Sequence, residues 1–143
     1  MSKRTQIVTA LANKFKMLDG IKYTSNIYNN AYPKLKFWDE VEDFPSIYLT
    51  PGTETREYHP SDFTWGYMNI SVKLYCRGET SQEQLEQLLY DAENIVDANR
   101  ALTYDTAGHQ TTEILVTSIT TDEGLLAPYA IGEINLQVRY QII

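Results

Sequence analysis

The chain has 143 residues, about the size of one hydrophobic core, so a single domain spanning 1–143 is expected. Its 43% hydrophobic and 22% charged residues exclude a disordered chain; no apolar run reaches the roughly 18 residues of a membrane span, and the start, Met-Ser-Lys-Arg-Thr-Gln-Ile, lacks the apolar stretch of a signal peptide, so the chain is read as cytosolic in its host. A formal charge of −7, from 12 basic and 19 acidic residues, argues against a broad grip on nucleic acid, and the lone Cys76 excludes an internal disulfide or a cysteine-rich zinc site.

Ser2 caps a predicted helix in which Ile7, Leu11, Phe15 and Leu18 recur at three- and four-residue spacing, with Gly20 as its stop. Ile21, Tyr23 and Ile27 suggest a short strand, and residues 28–37, broken by Asn residues and Pro33, read as a long loop. The acidic and aromatic run 37–45 leads into a strand at 46–50, bracketed by Pro45 and Pro51. A second arm at 53–58 runs up to the turn signal His59-Pro60-Ser61-Asp62, which implies an extended hairpin.

From Phe63 the pattern alternates, placing Met68, Ile70, Val72, Leu74 and Cys76 on one face of a strand and Tyr67, Asn69, Ser71, Lys73 and Tyr75 on the other. Gly78 ends it. Thr80-x-x-Glu83 has the form of a capping box, opening a helix with Leu85, Leu88, Leu89, Ala92, Ile95 and Val96 on one stripe. Strands follow at 111–121 and 131–142; the last places Ile134, Leu136, Val138, Tyr140 and Ile142 on its core face. The expected fold is α+β, in the order α, β, β, β, α, β, β: a mixed or antiparallel sheet with two main helices on one face and a protruding hairpin or loops.

Catalytic patterns are missing from this sequence. His59 and His109 lie in turn or loop sequence outside any H-x-x-x-H or H-E-x-x-H motif, and Asp39, Glu40, Glu42 and Asp43 lack the ligand spacing of an EF-hand loop and read as a solvated acidic loop. No G-x-S-x-G, G-x-G-x-x-G or G-x-x-x-x-G-K-[ST] occurs. Of the 17 aromatic residues 11 are Tyr, whose apolar body and polar tip suit sheet edges and protein interfaces alike. The connection 51–65 carries Tyr58, Phe63 and Trp65, and the connection 124–131 carries Leu125, Leu126, Pro128 and Tyr129; subunit contact and folding back over the sheet are both open readings for them.

The order of elements, the segments Phe37-Trp38-Asp39-Glu40 and Asp43-Phe44-Pro45-Ser46-Ile47-Tyr48-Leu49-Thr50, the strand bearing Trp65, the helix after Glu79-Thr80-Ser81 and the closing Asp122-Glu123-Gly124 with its final strand together resemble the tail terminator, or tail completion, proteins of lambda-like long-tailed phages. The resemblance implies a virion structural protein without enzymatic activity or cofactor. It implies a ring, hexameric in the family, that caps the tail tube, ends its polymerisation and offers a surface for joining the head. The partners so implied are further copies of the chain, the tail tube protein and a head-tail connector or stopper, with DNA passing through unheld. Arg56, Tyr58, His59, Phe63, Leu125, Leu126 and Tyr129 are the candidate subunit or tube contacts. The sequence departs from the compact family pattern in the loop 28–36 and the insertion 125–130. Another neck or head-completion adaptor, or a small-molecule-binding or enzymatic α+β domain, is the alternative; a nucleic-acid binder would need a basic stripe that is missing here.

Overall fold

A computed structural model describes residues 2–142. The first helix, α1 (Lys3–Phe15), opens as its sequence dictates, the Ser2 hydroxyl accepting from the Thr5 amide. It ends short of Gly20, because residues 16–18 tighten into successive turns that still bury Leu18. The strand expected at 21–27 does not form. There the Asp19 carboxylate accepts the Ile21 amide and Asp91 accepts the Ser25 amide, and these local bonds compete with a ladder; Ile21 is left 89% exposed. The first strand, β1 (Ala31–Tyr32), lies instead inside the segment expected to be all loop, and pairs parallel with the start of β2 (Ser46–His59).

Pro51 does not stop β2. The arms predicted at 46–50 and 53–58 are one strand of 14 residues, with an irregularity between Pro51 and Glu54. That strand forms a hairpin with β3 (Phe63–Arg77), turning through Ser61 and Asp62, both at positive φ. The second helix, α2 (Ser81–Ala98), buries the predicted stripe, but its capping box is not made: Thr80 sits at φ −106°, ψ 25°, outside the extended region from which a hydroxyl reaches the helix amides. β4 (Glu113–Thr121) and β5 (Tyr129–Gln141) complete a sheet of order β1-β2-β3-β5-β4, antiparallel except at β1. The fold is α+β.

Both helices cover one face of the sheet. Ile7, Leu11 and Phe15 of α1 and Leu85, Leu88 and Ile95 of α2 share a core with Ile47, Met68, Ile70, Leu74, Ile134, Leu136 and Val138. Cys76 is part of this core, and burial pushes its thiol up to about 12. The opposite face is covered only at one end, where the segment 33–45 folds over Tyr48 and Tyr75; Val41 and Phe44 pack there and the Tyr75 hydroxyl donates to the Lys36 carbonyl at 2.6 Å. Elsewhere that face is open, with polar side chains along its middle and Phe63, Trp65 and Tyr67 at the hairpin end.

Candidate functional site

The antiparallel register fixes where the candidate residues lie. Arg77 pairs with Tyr129 at one end of the sheet and Trp65 with Gln141 at the other, so the hairpin tip and the 122–128 connection stand at opposite ends. A strand of 15 residues separates them by about 45 Å. Arg56, Tyr58, His59 and Phe63 therefore form one group and Leu125, Leu126 and Tyr129 another; no single contact can use both.

At the hairpin end, the side chains on the helix side of the sheet converge on Glu54. Its side chain is 6% exposed, takes a short hydrogen bond from the Tyr140 hydroxyl, and faces Arg56 Nε at 3.0 Å and Arg4 Nη1 at 3.6 Å. Burial, and then the bond to Glu54, push the Tyr140 phenol well above its usual range. Gly66 makes this possible: a Cβ there would stand 2.9 Å from Tyr140 Cε1. Arg4 also donates to the Gly52 carbonyl at 2.6 Å, tying α1 to the hairpin. Tyr58, two residues beyond Arg56, is 72% exposed.

On the open face of the same hairpin, the Arg139 guanidinium lies 4.1 Å over the Trp65 ring and 5.8 Å from that of Tyr67. Phe63 meets Trp65 edge-on at 5.0 Å, and His59 meets Phe63 at 5.9 Å. Glu57 joins them: His59 Nε2 lies 2.6 Å from its carboxylate, the Tyr67 hydroxyl donates to it at 3.1 Å, and these bonds, that of His59 first, hold its carboxyl below the usual range. Phe63 and Trp65 are thus packed, whereas Tyr58, hydrogen-bonded to Arg56, leaves most of its ring in water.

The far end divides in the same way. Tyr129 packs between Trp38 (5.3 Å), Phe44 (5.8 Å) and the Arg77 guanidinium (5.2 Å), so it fastens the 33–45 cover to the sheet. Leu125 is 83% exposed, at the same end as the exposed Leu35 and Phe37. The turn carrying Leu125 is held by Asp122, which accepts the amides of Ile131 and Leu126, both at 3.2 Å, and faces Gln82 Nε2 at 3.5 Å. Burial raises the Asp122 pKa, but these donors outweigh it and hold the carboxyl below the usual range. A carboxyl depressed in this way stabilises the fold above its unfolded pKa and ceases to as pH falls through the folded value. The urea midpoint of the native protein should accordingly fall below about pH 4, and Asp122→Asn should show a smaller part of that fall, since Glu57 and Asp105 contribute in the same direction; an unchanged pH profile would remove this role.

His109 Nδ1 lies 2.5 Å from the Asp105 carboxylate and its ring stacks on Tyr104, and among the described residues no group of three or more His, Cys, Asp or Glu could hold a metal ion. Asp39, Glu40, Glu42 and Asp43 are exposed in the 33–45 cover. Glu54, Gly66 and Arg139 were not singled out in the sequence. For Arg139 a signal existed: Trp65 and Tyr67 on one strand and Arg139 on another all occupy the face opposite the core in their alternating patterns.

Residues 1–142 match the family described as Bacteriophage Tail Tube Terminator Protein. The chain is 36% identical, over 153 aligned positions that cover 99% of it and 95% of the relative, to the tail tube terminator protein p142 of Escherichia phage T5. It is also similar in fold to a chain in the virion of the native gene transfer agent particle, with a TM-score of 0.59 and 8% identity over 94% of each chain. At that identity the likeness is one of fold alone.

Proposed function

Because the chain belongs to the bacteriophage tail tube terminator family, we propose that it acts as a closed ring of identical subunits, hexameric, seated on the last ring of the tail tube in the virion. The ring, assembled in the host cytoplasm, ends tube polymerisation and presents its other side to a head-tail connector or stopper. The observation that carries this reading is the division of the exposed side chains: Tyr58 with Arg56 and His59 at one end of the sheet, Leu125 with Leu35 and Phe37 about 45 Å away at the other. A subunit that joins two different structures needs two separate contact surfaces, and large apolar side chains left in water at both ends supply them.

The open sheet face suits a wall past which DNA slides. Its cations Lys73 and Arg139 stand opposite the carboxylates Glu133 and Glu113 in the register, and the chain carries a net charge of −7, so phosphates meet little to hold them.

Light scattering on the purified chain over a wide concentration range, followed by negative-stain imaging alone and with tail tubes, tests the proposal. Rings of about six copies, seated at one tube end and blocking further growth when tube protein is added, are the expected result. A persistent monomer that ignores tube ends overturns it, and binding to isolated head connectors alone points to a neck adaptor instead.

A further inference from the structure

β4 is an unguarded sheet edge. It is nine residues long and from Ile114 to Thr121 contains no charge, no Pro and no Gly, whereas edge strands of monomers are normally blunted by such residues or covered. Thr117 bulges, its hydroxyl on the Asn135 carbonyl, but the strand continues beyond it, and Ile119 is 38% exposed although its partner Ile134 is buried in the core. The other side of the sheet is also open: β1 covers β2 only at Ile47 and Tyr48, so residues 52–59 have no strand on their outer side among the described residues.

We propose that neighbouring copies join through these two edges, β4 of one copy pairing antiparallel with residues 52–59 of the next, so that the sheets run continuously around the ring. The inference rests on the ring reading and names its contact. Three features select a second copy as the occupant. The first is direction. β2, β3, β5 and β4 alternate, so the outer strands of one copy run opposite ways; rotation about a ring axis preserves strand direction and brings β4 against the next β2 antiparallel. An odd number of alternating strands would give a parallel junction.

The second is stagger. Within one copy Glu54 stands level with Ile114, through Met68 and Val138. Joining copies at that level would set Thr121 beside Ile47, where β1 already lies. Full overlap of 52–59 with β4 instead brings Glu54 to Ile119, an offset of about four residues once the bulged Thr117 is discounted. Closed barrels with one residue of shear per strand tilt their strands by about 36°, and about four residues over the strands of one copy is that ratio. The third is facing. This register keeps the helix-covered faces on one side and sets the exposed Tyr58 ring beside Ile114 and Val116.

The test is disulfide trapping in the full chain. Thr55 and Ser118 are exposed, face the open side of the sheet and lie on opposite edges, three strands and about four residues of register apart within one copy, or about 20 Å, too far for an internal bridge. In rings alone or on tail tubes, oxidised Thr55→Cys/Ser118→Cys should give a reducible ladder of multimers up to the full ring, and neither single variant should give more than a dimer. Ile119→Lys, with unchanged circular dichroism and melting, should need at least tenfold more protein to form rings. Intact rings without the ladder, or rings of Ile119→Lys at ordinary concentration, overturn the edge contact and leave the ring. A ladder only with cysteine-bearing tube protein assigns the edge to the tube and overturns it too. Failure of the unmodified chain to form rings anywhere removes both readings.

Discussion

Gly66→Val is expected to cost about 1–3 kcal/mol of stability, read as a lower urea midpoint with little change in slope. The reason is steric. A first side-chain carbon at this position meets Tyr140 Cε1 at 2.9 Å, Ile142 Cδ1 at 3.0 Å and Tyr140 Cζ at 3.1 Å, all from β5 or just beyond its end. The Tyr140 ring is pinned by Glu54 of β2, on the far side of β3, and cannot swing aside without losing that bond. A branched side chain must therefore part β3 from β5 or expel the ring. Pairing Gly66→Val with Tyr140→Ser should return part of the loss, because the crowding partner is gone, and the double-mutant cycle should show coupling beyond about 0.5 kcal/mol. Simple additivity, or a cost below that figure for Gly66→Val alone, would mean that the close approach is unimportant.

Gly66 also shows where reading the sequence stops. The alternation of β3 and β5 is written in residue types, since Met68, Ile70, Val72 and Leu74, like Ile134, Leu136 and Val138, must all leave water, and the stripe of α2 follows for the same reason. Such patterns are local and survive in a one-dimensional string. A glycine emptied for a ring on another strand leaves no local trace, and neither does β1, whose two residues become a strand only because Ile47 and Tyr48 pass beside them. The strand predicted from Ile21, Tyr23 and Ile27 failed for a related reason: its apolar residues alternate, but Asp19 and Asp91 offer its backbone better partners.

The candidate contact residues divide along the same line. Tyr58 and Leu125 could be picked out as large apolar groups in polar surroundings, and both are exposed. Tyr129 looked the same in sequence, but the cover that packs on it, Trp38 and Phe44, comes from 85 to 91 residues earlier in the chain. What makes β4 a candidate contact is its position at the edge of the sheet, and strand order is set by topology rather than by the strand's own residues.

Glu54→Ala should lower stability by about 1–3 kcal/mol and weaken ring assembly further than stability alone accounts for. The carboxylate is the single acceptor shared by Tyr140 of β5, Arg4 of α1 and Arg56 of β2. The arginines are a third to a half exposed and regain water when it is lost, so their pairing contributes little; the Tyr140 hydroxyl is buried, and its orphaning carries most of the cost. Glu54→Gln keeps an acceptor for that hydroxyl and removes the charge, so it should lie closer to the native protein than to Glu54→Ala. The reverse ranking would make the ion pairs dominant. Residues 52–59 start from this anchor: with Glu54 gone, β2 loses the side-chain bond that ties it across β3 to β5, and the strand offered to a neighbouring copy is free to fray. Faster amide exchange confined to the hairpin, at temperatures where the core remains protected, is the signature that separates this local loosening from a general loss of stability.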